Sequence, residues 1–374
     1  MQTTHQLILG DARVLAPIEN EQVQLVVTSP PYPMITMWDE AFRSMSQAAA
    51  AALDHECGLQ AFEAMHAELD KTWRECFRVL SPGGFACINI GDATRTIGGN
   101  FQLFHNHARI ISAMSEIGFH VLPDILWRKP TNAPNKFMGS GMLPAGAYVT
   151  YEHEYILVFR KGSKRTFQNQ AAKTNRSQSA FFWEERNTWF SDVWEGLAGT
   201  RQALKGPRTR SAAFPFEVPY RLIQMYSTYG DVVLDPFVGT GTTLTAAVAS
   251  GRSSIGVEIT AGLATDLESS VTKGIEQGIE RTEARLKNHQ RFVEKRIEAG
   301  KTLKYQNTPH QVPVMTRQEQ QLCLHIPATY SGLSEGRIAV AHEPAGAAGQ
   351  SAQGQDRPTP PEVDEGSPNP AVAP

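Results

Sequence analysis

The sequence predicts an α/β domain: a mostly parallel sheet with helices on both faces. Three observations carry that reading. Short apolar runs (residues 25–27, 85–90 and 232–234) lack polar alternation, as in strands covered on both faces. Stretches with helical spacing separate them. Each run also stops at a turn, at Pro30-Pro31, at Gly91-Asp92 or at Asp235-Pro236, and turns at strand carboxyl ends are where open α/β sheets bind ligands. The 374 residues, 41 % hydrophobic and 20 % charged, supply a sizeable core.

Residues 5–9 form the first strand, which ends at Gly10-Asp11. An acid there is either a helix cap or a ligand. Leu25-Val26-Val27 runs into Thr28-Ser29-Pro30-Pro31-Tyr32. Neither proline offers an N–H to a ladder, so the strand stops and a rigid loop follows. The loop presents the Ser29 hydroxyl, carbonyls of fixed direction and the Tyr32 ring. That set suits a planar heterocycle with an exocyclic amino group, although a plain proline-stiffened loop would read the same. Residues 33–39 either wall such a pocket or simply pack. The alanine-rich residues 47–53 read as an exposed helix or a flexible excursion. Leu59, Phe62, Leu69, Trp73, Cys76, Phe77 and Leu80 share a helical face that ends at Ser81-Pro82-Gly83-Gly84.

Residues 85–90 are the next strand, 103–117 a helix, and 119–127 a strand followed by the polar Arg128-Lys129-Pro130 stretch. Residues 155–159 read as a strand near the sheet's far edge. Periodicity then fades from 161 to 210, where Lys164, Arg165, Lys173, Arg176, Arg201, Lys205, Arg208 and Arg210 alternate with polar and aromatic residues. Net charge is −3 overall, but residues 127–210 hold 14 Lys/Arg against 6 Asp/Glu, a local excess of +8. Local charge is what meets phosphates, so this segment reads as a nucleic-acid surface rather than a solvated loop.

Residues 215–229 regain helical spacing, and the strand Val232-Val233-Leu234-Asp235 leads into Pro236-Phe237-Val238-Gly239-Thr240-Gly241-Thr242-Thr243. The glycines permit positive φ and close approach of a ligand to a helix N-terminus. Glu258 closes the following strand (253–259), at a spacing that suits hydrogen bonds to ribose hydroxyls. A P-loop is excluded because Thr242, not lysine, follows Gly241, and a dinucleotide turn lacks its third glycine. A purely structural turn is the remaining alternative.

Ser29-Pro30-Pro31-Tyr32, taken with Asp235-Pro236-Phe237-x-Gly239-x-Gly241-Thr242-Thr243, resembles the DNA amino-methyltransferases. With the catalytic loop first, a basic region next and the cofactor motif last, it is similar to their beta class over about residues 7–259. The resemblance implies a circularly permuted, Rossmann-like S-adenosylmethionine-dependent methyltransferase fold of roughly seven strands with a basic recognition insert. It implies catalysis by Ser29, Pro30, Pro31 and Tyr32, with Tyr32 stacking on the base. It implies a cofactor pocket from Asp11, Phe216, Asp235, Pro236, Phe237, Gly239, Gly241, Thr242, Thr243 and Glu258, and DNA contacts from Arg128, Lys129 and the basic residues named above. The expected target is cytosine N4, because serine at the first motif position favours it, with adenine N6 as the alternative. A rival from another class is a nucleic-acid-binding protein that keeps the fold without turnover. The chain has no Pro-Cys dipeptide, which argues against ring-carbon cytosine methylation.

The expected organisation is a catalytic half (1–160), a recognition region (161–212), a cofactor half (213–262), a helical extension (263–340) and a disordered tail (341–374). The four cysteines form no metal spacing and read as thiols of a reducing cytoplasm. No apolar run is long enough for a membrane span. Expected partners are double-stranded DNA with the target base flipped out and a cognate restriction endonuclease, for a prokaryotic, nucleoid-associated monomer or homodimer.

Overall fold

The computed structural model describes residues 1–129, 138–197, 214–262, 266–332 and 336–346. Strands β1 (Gln2–Leu9) and β2 (Val23–Thr28) precede helices α1 (Asp39–Met45), α2 (Gln47–Asp54) and α3 (Gly58–Val79). β3 (Leu80–Ile90) leads into a hairpin of β4 (Ala93–Ile97) and β5 (Asn100–Phe104), then α4 (Asn106–Ile117) and β6 (Phe119–Arg128). A small ribbon of β7 (Met138–Gly139) and β8 (Ala147–Tyr148) is followed by β9 (His153–Lys161), α5 (Gln170–Gln178), α6 (Trp183–Trp189) and β10 (Val193–Trp194). α7 (Glu217–Tyr226), β11 (Val232–Asp235), α8 (Thr242–Ala249), β12 (Ser253–Glu258) and the long α9 (Leu267–Glu298) come next. The described chain closes with a ribbon of β13 (Tyr305–Gln306) and β14 (Pro313–Val314), then β15 (His325–Gly332) and β16 (Arg337–Pro344).

Among the described residues ten strands form one sheet in the order β10-β6-β9-β3-β2-β11-β12-β1-β16-β15. From β3 to β1 the pairing is parallel. β9 enters antiparallel between β3 and β6, near one end of the sheet, with only β6 and the two-residue β10 beyond it. The seven strands from β6 to β1 match the expected count, and β10, β16 and β15 extend them.

Both faces are covered, as the unbroken apolar runs require. In β2, Val26 packs on one side with Trp73, Met65 and Phe42, while Leu25 and Val27 pack on the other with Leu222, Ala246 and Ala247. α3 contributes Phe62, Met65, Leu69, Trp73 and Cys76 along one buried face. The alanine-rich segment is a helix, and it buries Ala49, Ala52 and Leu53.

Three expectations need correcting. The helix placed at 103–117 starts only at Asn106, because residues 100–104 complete a hairpin. The faded stretch 161–210 contains α5 and α6, and the α6 end packs on α9: Arg285 forks onto Glu185 at 2.6 and 2.8 Å, and His289 lies flat on Phe182, the residue before α6. The extension after 263 is not purely helical. β15 and β16 add to the sheet beside β1, and β16 runs to Pro344, past the expected start of the tail at 341. Residues 347–374 lie outside the described ones. Among the described residues no helix is long and apolar enough to cross a membrane.

Candidate active site at the carboxyl edge of the sheet

Because β1, β12, β11, β2 and β3 run parallel, residues at or just past their carboxyl ends line a single edge in that order: Asp11, Glu258, Asp235, Ser29 and Asp92. The antiparallel β9 begins at this edge with His153 and Glu154, and β6 ends there with Arg128. Residues that are far apart in sequence therefore meet by topology alone.

Asp235 joins the glycine turn to the proline loop. Its Oδ1 accepts from Thr28 Oγ1 at 2.6 Å and from Phe237 N at 3.0 Å, and its Oδ2 accepts from Thr243 Oγ1 at 2.6 Å. Burial pushes its pKa up to about 6, against the pull of those donors. Asp235 is thus a knot under the turn. Above it, Gly239 and Gly241 hold φ of 48° and 78°, values that favour glycine. A Cβ at Gly239 would meet nothing nearer than 3.9 Å, so the turn is open. Thr242 and Thr243 start α8, and Pro236 and Phe237 form the first bend, with the Phe237 ring edge-on to Trp73 at 6.0 Å. Glu258 fixes the turn by accepting from Gly239 N (3.3 Å) and Thr260 N (2.9 Å).

Asp11 caps no helix. Its carboxylate is gripped by Arg13 (Nη2–Oδ2 2.6 Å), which also reaches Glu68. Burial opposes the charged form, but Arg13 outweighs it and holds the Asp11 pKa below its usual value. Phe216 opens α7, stacks on Tyr220 and lies beneath the Arg281 guanidinium.

On the other side of the edge, the Ser29 hydroxyl lies 3.1 Å from Tyr32 Oη, which lies 2.9 Å from Glu154 Oε2. Asn89 Nδ2 donates to both Tyr32 Oη and Glu154 Oε2 at 2.7 Å, and Lys129 Nζ donates to Glu154 Oε1. A carboxylate only accepts. Tyr32 must therefore donate to Glu154, and Ser29 must donate to Tyr32. Burial, then the Glu154 charge, holds the Tyr32 phenol well above its usual pKa, so it keeps its proton. Tyr32 is 9 % exposed, which leaves little open ring for the stacking expected of it. Asn89 and Glu154 escaped the sequence reading. Asn89 was visible as the lone polar residue among 85–90, and Glu154 as a charge at the start of an apolar strand.

The expected DNA residues divide. Arg128, exposed, pairs with Glu152 and Glu195 at the carboxyl edge, and Lys129 belongs to the network just described. Lys164, Arg165, Lys173 and Arg176 lie at the opposite edge, because β9 runs antiparallel and delivers the chain there. Arg165 forks onto Asp231 (2.6 and 3.0 Å) at the start of β11, and Asn175 of α5 donates to Tyr229 O beside it. Arg176 lies over Phe167. Arg201, Lys205, Arg208 and Arg210 lie outside the described residues.

Residues 23–268 match the N6/N4 family model for DNA methylases. The chain is 47 % identical to the Type II methyltransferase M.MthZI of Methanothermobacter thermautotrophicus, over 88 % of this chain and 92 % of that one. It is 49 % identical to the Type II methyltransferase M.MjaI of Methanocaldococcus jannaschii, over 74 % and 93 %. The TTHA0409 protein of Thermus thermophilus, described as a DNA modification methylase and solved with S-adenosyl-L-methionine, superposes with a TM-score of 0.56 at 35 % identity, covering 72 % of this chain and 96 % of that one. With the match spanning both the proline loop and the glycine turn, the chain belongs to the N6/N4 DNA methylase family, as an S-adenosylmethionine-dependent DNA methyltransferase.

Proposed function

We propose that this protein methylates the exocyclic N4 of cytosine in double-stranded DNA, site-specifically and within a restriction-modification system, as the Type II names of its relatives suggest. The observation that carries the reading is the forced hydrogen-bond direction at Ser29. Its proton is committed to Tyr32, so its oxygen lone pairs remain to accept an amino hydrogen. The amino nitrogen of a base is a poor nucleophile because its lone pair is delocalised into the ring. Accepting its hydrogens, at Ser29 Oγ and at the Pro30 carbonyl, favours a more tetrahedral nitrogen with an available lone pair. Pro30 and Pro31 keep both acceptors in place. The base must leave the duplex for this, since its amino group is otherwise engaged in pairing.

S-adenosylmethionine supplies an activated methyl group on sulfur. The residues beside Ser29 suit it: an open turn at Gly239 and Gly241, the N-terminus of α8 at Thr242, and a Glu258 carboxylate with lone pairs left for ribose hydroxyls. Asp235 holds that turn in place, and Asp11 lies at the adjoining strand end. We take the recognition region to be narrower than residues 161–212. Arg128 at the carboxyl edge, with Arg201, Lys205, Arg208 and Arg210, would face DNA, while α5 and α6 serve the fold.

Mass spectrometry of nucleosides from DNA treated with the protein and cofactor tests the reading. N4-methylcytosine is the expected product. N6-methyladenine as sole product would move the target to adenine, and no methylated nucleoside would leave a DNA-binding role.

A further inference from the structure

We propose that Glu154 is a positioning residue for methyl transfer: through Tyr32 it aims the Ser29 hydroxyl and receives, along that chain, the proton the methylated amino nitrogen must lose. The inference rests on the function proposed above. Its basis is the continuous path Ser29 Oγ, Tyr32 Oη, Glu154 Oε2, with links of 3.1 and 2.9 Å and only one direction open to its protons. Asn89 Nδ2, bonded at 2.7 Å to both Tyr32 Oη and Glu154 Oε2, holds those two oxygens together. Lys129 anchors the other carboxylate oxygen. Ser29 alone is a poor base, and the path gives it a carboxylate at one remove.

The step balances. With the methyl group in place, the amino nitrogen carries a positive charge and one hydrogen too many. Its N–H bond breaks, the electron pair stays on nitrogen, and the proton forms an O–H bond at Ser29 Oγ. The Ser29 proton passes to Tyr32 Oη, and the Tyr32 proton passes to Glu154 Oε2. Nitrogen becomes neutral, Glu154 becomes a neutral acid, and both hydroxyls end with the number of protons they began with. Glu154 keeps 12 % side-chain exposure and Lys129 44 %, so the acid can return its proton to water before the next turnover.

The test uses the full-length protein and compares Ser29→Ala, Tyr32→Phe, Glu154→Gln, Glu154→Asp and the Tyr32→Phe/Glu154→Gln double variant. Glu154→Gln should lower kcat about 100-fold, the scale of general-base effects. KM for DNA, and cofactor Kd measured calorimetrically without DNA, should stay within about threefold. Glu154→Asp, which keeps a carboxylate on the path, should recover part of the kcat that Glu154→Gln loses. The double variant should be no slower than the slower single one, because either change cuts the same path. Wild-type kcat in Glu154→Gln, additive losses, or a cofactor affinity that falls as far as kcat would each overturn the proposal. If Glu154→Gln does not fold, Tyr32→Phe and Glu154→Asp decide it by kcat set against KM and cofactor Kd. An active wild type with a crippled Ser29→Ala but an unaffected Glu154→Gln sinks the relay alone. A Ser29→Ala as active as wild type sinks the parent reading instead.

Discussion

Asp235 shows how a residue found by motif can have a task other than the expected one. Its oxygens hold Thr28, Thr243 and the Phe237 amide. Asp235→Ala orphans two buried hydroxyls, at about 1–3 kcal/mol each, and the half-buried Phe237 amide, loosens the glycine turn and should abolish cofactor binding. Asp235→Asn retains an acceptor for Thr28 and Phe237 and should bind weakly. Calorimetry on both variants checks this, and equal, unchanged affinities would contradict it. Under the proposed function, Ser29→Ala removes the acceptor for the amino hydrogen, so the transfer rate should fall about 100-fold while cofactor affinity holds. Single-turnover kinetics with parallel binding measurements read the two apart. At this scale the sequence was legible wherever chemistry sits in one short run, as at Ser29–Tyr32 or Asp235–Thr243. It marked Asn89 and Glu154 only as polar residues in apolar strands, because their meeting with Tyr32 depends on which strands become neighbours.

The direction of β9 decides where the basic residues go. A parallel strand would have carried Lys164 and Arg165 to the carboxyl edge, but the antiparallel one carries them away. Arg128→Ala should weaken DNA binding and lower the salt slope by about 1, as expected for one lost phosphate contact. Arg165→Ala should leave that slope unchanged and reduce stability, since it strands Asp231, whose side chain is 7 % exposed. Fluorescence titrations at several salt concentrations, with urea melts, separate the two. Strand existence was read well where a run was apolar on both faces. β15 and β16 were missed because β15 is mostly exposed and β16 mixes buried and exposed positions, so neither forms such a run. A chain ending at residue 336 lacks β16 and bares the edge of β1, and it should aggregate. A chain ending at 346 keeps the strand and should remain monodisperse in size-exclusion chromatography.

The molecule as a whole carries buried histidines that set its acid limit. Burial lowers the pKa of His5, His66 and His342 from 6.5 to about 3. Their folded values lie below the unfolded one, so the stability they contribute is complete above pH 6.5 and is lost as pH falls towards 3. Each costs about 1.4 kcal/mol per pH unit in that window. Asp235, raised from 3.8 to about 6, works the other way, losing its contribution as pH rises through that value. Urea midpoints should therefore drop between pH 7 and 5, and His66→Gln should make the drop shallower. A flat series would show the histidines to be accessible. Two of these histidines belong to one seam: His5 of β1 bonds Thr3 and Ser254, and Thr3 bonds His342 of β16. β1 lies between β12 and β16, so it leaves the ribosome long before either neighbour has been made. During that wait an apolar strand would seek any exposed edge in the cell. Thr3 and His5 keep the waiting strand polar and can satisfy each other within it, and Ser254 and His342 complete their bonding once the neighbouring strands are in register. The seam therefore rewards only the native register, because a β1 slipped by one residue would turn Thr3 and His5 away from Ser254 and His342.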